Sequence, residues 1–448
     1  MKDKRVMVVG MAKSGIACAR LLLELGATVT LYDAKPIESF PAHTFDEFAG
    51  RAKFAFAADP GPEAAKADML VLSPGVPTDL EFITDAISFG KSVIGEIELG
   101  YIYSEGEFVA ITGTNGKTTT TALTGEVFKN AGFNTHVLGN IGVPIAGEAL
   151  KTRRGDIIVA ETAALQLETI DTFRPRACAV LNITQDHLNR YGTMQNYTAA
   201  KERVFENQTQ DDFCVLNYDN DIARGMAGKP RSKIIWFSRK VVMDSGVFID
   251  EGNIVSFEND GAHFICRADE VRIPGAHNLE NALASAALAR CYNIPEAVIR
   301  KTLREFPGVE HRIEFVREVD GVRYINDSKG TNPDSTEKAA AAMTRPTVII
   351  LGGSSKNNSF LPMIKGFGEN IKALVAIGET QNDILADAEK AGFKNIHTAG
   401  SFREAVDKSR VIAREGWNVL LSPACASFDM FEDYEHRGRM FKEIVGSL

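Results

Sequence analysis

Phe108-Val109-Ala110-Ile111-Thr112-Gly113-Thr114-Asn115-Gly116-Lys117-Thr118-Thr119 runs from an apolar strand through a glycine turn into a helix. The strict phosphate-loop pattern G-x-x-x-x-G-K-[ST] would place Gly at 111, which is Ile here. The remaining G-T-N-G-K-T core keeps the working parts. Glycines let backbone amides approach phosphate oxygens, and the helix N-terminus adds the positive end of a dipole. Lys117 can neutralise β/γ phosphates, and the Thr118 hydroxyl can ligate magnesium. Residues Gly113, Thr114, Asn115, Gly116, Lys117, Thr118 and Thr119 are therefore expected at a nucleotide triphosphate. The loop signals a nucleotide and leaves the reaction open.

Working outward, further strands are expected at 157–161, 177–183 and 213–217, a hairpin-rich antiparallel patch at 241–257, and helices at 278–292 and 295–306. Upstream, a strand at 5–9 turns at Gly10 into a helix at 14–25, with Gly26 as its C′ residue. Strands follow at 28–32, 68–73 and 92–95. Downstream, strands at 347–352, 373–378 and 418–422 alternate with helices. Such alternation predicts parallel, doubly wound sheets. The fold class is α/β in three domains: a Rossmann-like one at 1–98, a central P-loop ATPase-like parallel sheet with a small antiparallel patch at 99–308, and a Rossmann-like one at 309–448.

The bulk properties agree with this organisation. At 448 residues, two or three domains are the natural expectation, and the composition (44% hydrophobic, 24% charged) is globular. No run approaches the ~18–20 apolar residues of a membrane span, and no signal peptide opens the chain, so a cytoplasmic protein is expected. Six scattered cysteines without a C-x-x-C pair argue for reduced thiols and against zinc or disulfides. A net charge of −9 disfavours nucleic acid.

Single positions say less. Glu161 ends a strand, where an acid can reach a metal. His187 follows another strand, but a lone histidine is more often structural. Lys201, read alone, is a solvated helix lysine. Gly10-Met11-Ala12-Lys13-Ser14-Gly15 is a weak dinucleotide fingerprint with Ala12 in the middle glycine's place, and with Asp33 an NAD site is a fair guess.

Residues 111–119, 182–191, 275–281, 311–312, 326–331 and 421–431 together resemble the Mur ligase family, in family order and over essentially the whole chain. Residues 10–15, 139–142 and 421–429 look like the family's D-glutamate-adding branch. The resemblance implies ATP-dependent ligation of D-glutamate to UDP-N-acetylmuramoyl-L-alanine through an acyl phosphate, with ATP and Mg2+, in peptidoglycan precursor synthesis. It implies a monomer acting on small molecules, without nucleic acid or membrane insertion.

By the same resemblance, Lys117, Glu161, His187 and Lys201 are catalytic. Thr118, Glu161, His187 and a carbamylated Lys201 surround the metal. Asn278 and Asn281 face adenine, and Arg312 and Asp327 reach ATP. Gly10, Ser14, Gly15, Ala34, Lys35, Ser73, Asn140 and His187 take the UDP substrate, while Lys329, Thr331, Lys356, Ser422 and Phe428 take D-glutamate. Departures are Ala163-Ala164 where serines are common, Asn189 where aspartate is usual, and Ser354-Ser355 at a position often acidic. Rival readings are a sibling or folylpolyglutamate-type ligase, a UDP-sugar-binding switch without ligation, and an NAD oxidoreductase.

Overall fold

A computed structural model describes residues 1–140, 142–258, 261–355 and 359–448. Three sheets are distributed over two compact units, Met1–Ala268 with Asn281–Thr302, and Asp269–Glu280 with Leu303–Leu448.

In the first unit, a five-stranded parallel sheet has the order Lys53–Phe54, Thr28–Tyr32, Arg5–Val9, Met69–Leu72, Ser92–Gly95. The chain reverses direction across the sheet at Arg5–Val9, so the Gly10 turn leaves at the switch point where such sheets bind ligands. Both faces are covered, Met7, Val9, Leu70 and Leu72 packing on one and Val6, Val8, Leu31 and Val71 on the other. Helix Lys13–Glu24 seals the second face with Ala17, Cys18, Leu21 and Leu22, and Gly26 takes the left-handed turn that ends it (φ 76°).

The same unit holds a nine-stranded sheet. Its order is Gly261–Arg267, Asn253–Glu258, Gly246–Asp250, Lys233–Ser238, Phe213–Asn217, Ala177–Val180, Glu107–Thr112, Ile157–Glu161, Thr135–Gly139. The antiparallel patch is an extension of this sheet, because Gly246–Asp250 pairs in parallel with Lys233–Ser238. The strand expected over 177–183 ends at Val180, since residues 181–184 turn away to hold the glycine loop. Strands Thr135–Gly139 and Lys233–Ser238, both only partly buried, were not expected.

Helix Glu96–Tyr103 links the two sheets of this unit, and residue 98 lies within it. Glu98 is fully buried and accepts from the amides of Asp171, Thr172 and Phe173 (2.9 Å each) and from the Thr172 hydroxyl. A buried carboxylate so satisfied is structural.

The second unit carries the order Glu314–Val319, Val322–Asn326, Asn418–Leu421, Thr347–Gly352, Ile371–Ile377, Ile396–Thr398, parallel except for the first pair. Apolar clusters on both faces make it doubly wound. The opening hairpin is charged and half exposed, which hid it from periodicity. Cysteines among the described residues are free thiols, and no described helix is long and apolar enough to cross a membrane.

Candidate active site

The glycine loop is held from behind by the segment that follows Ala177–Val180. Thr114 N donates to Asn182 O (2.8 Å), Asn115 N to Asn182 Oδ1 (2.9 Å), and Asn182 Nδ2 back to Asn115 O (3.0 Å). Thr184 N donates to Thr114 Oγ1 (3.0 Å), and Tyr197 Oη lies 3.3 Å from the same hydroxyl. Asn182 thus does for the loop what no spacing rule foresaw, though a polar residue just past a buried strand was a usable hint. Gly116 caps helix Lys117–Asn130 in the left-handed region (φ 86°). A Cβ there would stand 2.3 Å from Asn281 Oδ1. Asn281 therefore backs the loop, its Oδ1 accepting from Thr120 Oγ1 (3.2 Å). Asn278 is buried in the other unit, its amide donating to Pro274 O (2.7 Å).

Two lysines converge on one carbonyl. Lys117 Nζ donates to Gly113 O (3.0 Å) and Thr114 O (2.8 Å), and Lys201 Nζ donates to Gly113 O at 2.7 Å. Lys201 is 1% exposed, on helix Met194–Glu202, with its ammonium 4.8 Å over the Tyr197 ring. This is not the solvated lysine that its helix suggested. Burial, then the Lys117 charge, push the Lys201 pKa well below the ordinary lysine range, against a weaker pull from Asp186 and Glu161.

The acidic side of the site is Glu161, 2% exposed at the end of Ile157–Glu161. Its Oε1 accepts from Asn140 Nδ2 (2.9 Å), while its Oε2 is buried with no hydrogen-bond partner among the described residues. The buried Thr119 and Thr184 hydroxyls share that condition. A buried carboxylate oxygen left without a donor is costly unless a cation meets it. The donor set therefore fits a hard divalent ion, which prefers oxygen ligands. Thr118, next to Thr119 in sequence, is buried at the loop's end. His187 sits in the left-handed region (φ 51°), half exposed, with Nε2 3.7 Å from Asp186 Oδ2. Ala163 and Ala164 carry no hydroxyl, and that of Thr162 donates to Ile111 O (3.2 Å), while Ala163 N donates to Gln166 Oε1 (2.9 Å).

At the first sheet's switch point, Gly10 N donates to Tyr32 O (2.8 Å) and Ser73 Oγ to Gly10 O (2.6 Å). A Cβ on Gly15 would fall 1.9 Å from Gly10 O, so this glycine is obligatory. Asp33 accepts from Met11 N (2.8 Å) and Lys35 N (3.0 Å), which spends the acid that suggested NAD on the turn itself. Ser14, Ala34 and Lys35 lie on the segments flanking that turn.

In the second unit, Asp327 is fully buried. Ser422 Oγ donates to its Oδ2 (2.6 Å) and Ile313 N to its Oδ1 (3.2 Å). Burial raises its pKa to about 6, against the opposing Arg312 charge and the Ser422 bond. Arg312 Nε is buried with no acceptor among the described residues, which suits an incoming anion. Ser422 is likewise fully buried, also bonded to Thr336 Oγ1 (3.0 Å). Lys329 Nζ lies 5.1 Å over the Tyr434 ring, and Thr331 N donates to Lys329 O (2.9 Å). Phe428 is 73% exposed, and Lys356 lies outside the described residues. Sequence reasoning missed Arg437. Its buried guanidinium donates to Ser328 O (2.8 Å), Cys425 O (3.1 Å), Ala426 O (3.2 Å) and Ser328 Oγ (3.0 Å), tying together the loops that carry Lys329 and Phe428.

Family comparisons agree with this geometry along the chain. Residues 4–95 match the Mur ligase MurD-like N-terminal domain, 111–289 the Mur ligase middle domain, and 311–425 the Mur ligase glutamate ligase domain. A UDP-N-acetylmuramoylalanine–D-glutamate ligase of Pelotomaculum thermopropionicum is 48% identical, covering 99% of this chain and 98% of its own. One from Clostridioides difficile is 44% identical over 100% and 99%. Among solved structures, a UDP-N-acetylmuramate-alanine ligase (MurC) from Thermotoga maritima aligns with a TM-score of 0.61 at 20% identity, covering 99% of each chain. A MurF ligase from the same organism, in complex with ADP, gives 0.61 at 16%, covering 94% and 95%. With full-length identity of this degree behind the shared fold, the chain belongs to the Mur ligase family, in the branch of the D-glutamate-adding ligases.

Proposed function

We propose that the chain joins D-glutamate to UDP-N-acetylmuramoyl-L-alanine at the expense of ATP, as its relatives' names describe, in peptidoglycan precursor synthesis. Enzymes of this family use ATP and Mg2+. The observation that carries the reading is the pair of lysines on Gly113 O facing a buried carboxylate with one unmatched oxygen. We also place the domain boundaries at 98/99 and 308/309, and infer a monomer working in the cytoplasm.

A carboxylate does not acylate an amine unaided, because oxide would have to leave. The alanyl carboxylate oxygen attacks the γ-phosphorus, the bond to the ADP oxygen breaks, and an acyl phosphate results. The D-glutamate amine then attacks the acyl carbon, inorganic phosphate departs, and the nitrogen loses a proton. Two anions must meet in the first step. Lys117 and the amides of residues 113–119 lessen their repulsion, an effect typically worth ~10²–10³ in rate per contact. Bound Mg2+ would draw charge from the triphosphate, held by Thr118, Glu161, His187 and a carbamylated Lys201.

The buried, easily deprotonated Lys201 favours that modification. The ammonium first loses a proton; the neutral amine then adds CO2, an N–C bond forms as a C=O π bond opens onto oxygen, the nitrogen releases a second proton, and the former cation ends as a carboxylate. The change also relieves the Lys117–Lys201 repulsion. Gly10, Ser14, Gly15, Ala34, Lys35, Ser73, Asn140 and His187 take the UDP substrate. Asn278, Asn281, Arg312 and Asp327 serve ATP, and Lys329, Thr331, Lys356, Ser422 and Phe428 receive D-glutamate.

The test is phosphate release across a panel of amino acids with UDP-N-acetylmuramoyl-L-alanine and ATP. Turnover with D-glutamate alone, abolished in Lys117→Ala while UDP-substrate binding persists, is expected. Release with another amino acid, or none with any, refutes the assignment.

A further inference from the structure

We propose that Asn140 is a positioning residue for Glu161, engaging one carboxylate oxygen so that the other is presented to the metal. The inference rests on the metal role proposed for Glu161. Strand Thr135–Gly139 pairs in parallel with Ile157–Glu161, and its last residue, Gly139, stands opposite Glu161. Gly139 adopts φ 106°, and a Cβ there would be 2.4 Å from Glu161 O. Only glycine lets the chain turn this close to the acid. The turn closes through Gly139 N donating to Val143 O (3.0 Å).

That geometry delivers Asn140 onto Glu161 twice. Asn140 N donates to Glu161 O (2.9 Å), and Asn140 Nδ2 donates to Glu161 Oε1 (2.9 Å). One residue therefore fixes both the main chain and the side chain of the acid. The consequence lies in the asymmetry: Oε1 is engaged, while Oε2 is buried and unmatched. A carboxylate with both oxygens loose would rotate and lose part of its directed affinity, and partners that orient metal ligands in this way typically matter ~10–100-fold in metal affinity. Asn140 is itself exposed, so the position can also touch substrate, and the experiment must separate the two roles.

The experiment measures Mn2+ binding by electron paramagnetic resonance in the full-length protein with a non-hydrolysable ATP analogue, beside steady-state kinetics. Asn140→Ala should weaken Mn2+ binding by ~10–100-fold. Its turnover should recover as Mg2+ is raised, a response that loss of a UDP-substrate contact alone would not give. Asn140→Ser, too short to reach Oε1, should behave alike and serves if the alanine variant does not fold. Wild-type Mn2+ affinity in both variants would overturn the proposal and leave Asn140 a substrate contact alone. Glu161→Gln is the reference. If it too binds Mn2+ as the wild type does, the metal role of Glu161 falls first, and the positioning role with it.

Discussion

Gly116→Ala probes the glycine loop through two separable costs. The residue holds φ 86° and ψ −16°, a left-handed conformation that costs an L-residue roughly 1–2 kcal/mol. The added Cβ would also meet Asn281 Oδ1 at 2.3 Å, so that atom must retreat by about 1 Å to reach ordinary contact. Retreat strains the Thr120 Oγ1 to Asn281 Oδ1 bond, worth about 1 kcal/mol. The sum is about 2–3 kcal/mol of stability, and a loop displaced by that distance should lose roughly 10²-fold in turnover. The assay is denaturant unfolding of Gly116→Ala in the native and Asn281→Ala backgrounds, read as a double-mutant cycle. Removing the amide should relieve the clash and leave only the backbone cost, about 1–2 kcal/mol. Equal destabilisation in both backgrounds would refute the contact reasoning.

Two further outcomes concern buried titrating groups. Incubation with 13C-bicarbonate should give a carbamate resonance in the metal-loaded protein that is absent in Lys201→Ala, whose turnover should fall by ~10²–10³. The resonance should fade as pH falls, because a protonated amine cannot add CO2; its absence at every pH would remove the modification. Asp327, raised to about 6 by burial, binds its proton more tightly folded than unfolded. Its stabilising contribution is therefore full below about pH 4 and lost as pH rises through 6, a deficit of at most ~3 kcal/mol. Asp327→Asn should melt higher than the native protein at pH 8, with the gap closing towards pH 4 and with ligation impaired. A gap that widens on acidification would contradict the sign.

Local periodicity and turn chemistry made three α/β segments, most of their strands and the glycine loop legible in the chain itself. Those signals depend on neighbours within a few residues: buried parallel strands are short apolar runs, and a phosphate loop is contiguous. Strands such as Thr135–Gly139 and the hairpin Glu314–Asn326 escaped because half-exposed or charged strands lack that contrast. Lys201, Glu161 and His187 had weak readings for the same reason, each being a lone polar residue whose role depends on what lies across space. It was the folded packing that buried Lys201 against Gly113 O, spent Asp33 on the Gly10 turn and set Asn140 on Glu161. Burial and charge proximity are sums over residues distant in sequence. The chain alone therefore determined the elements and the nucleotide loop, and tertiary contact decided which polar groups share an environment and hence what chemistry they can do.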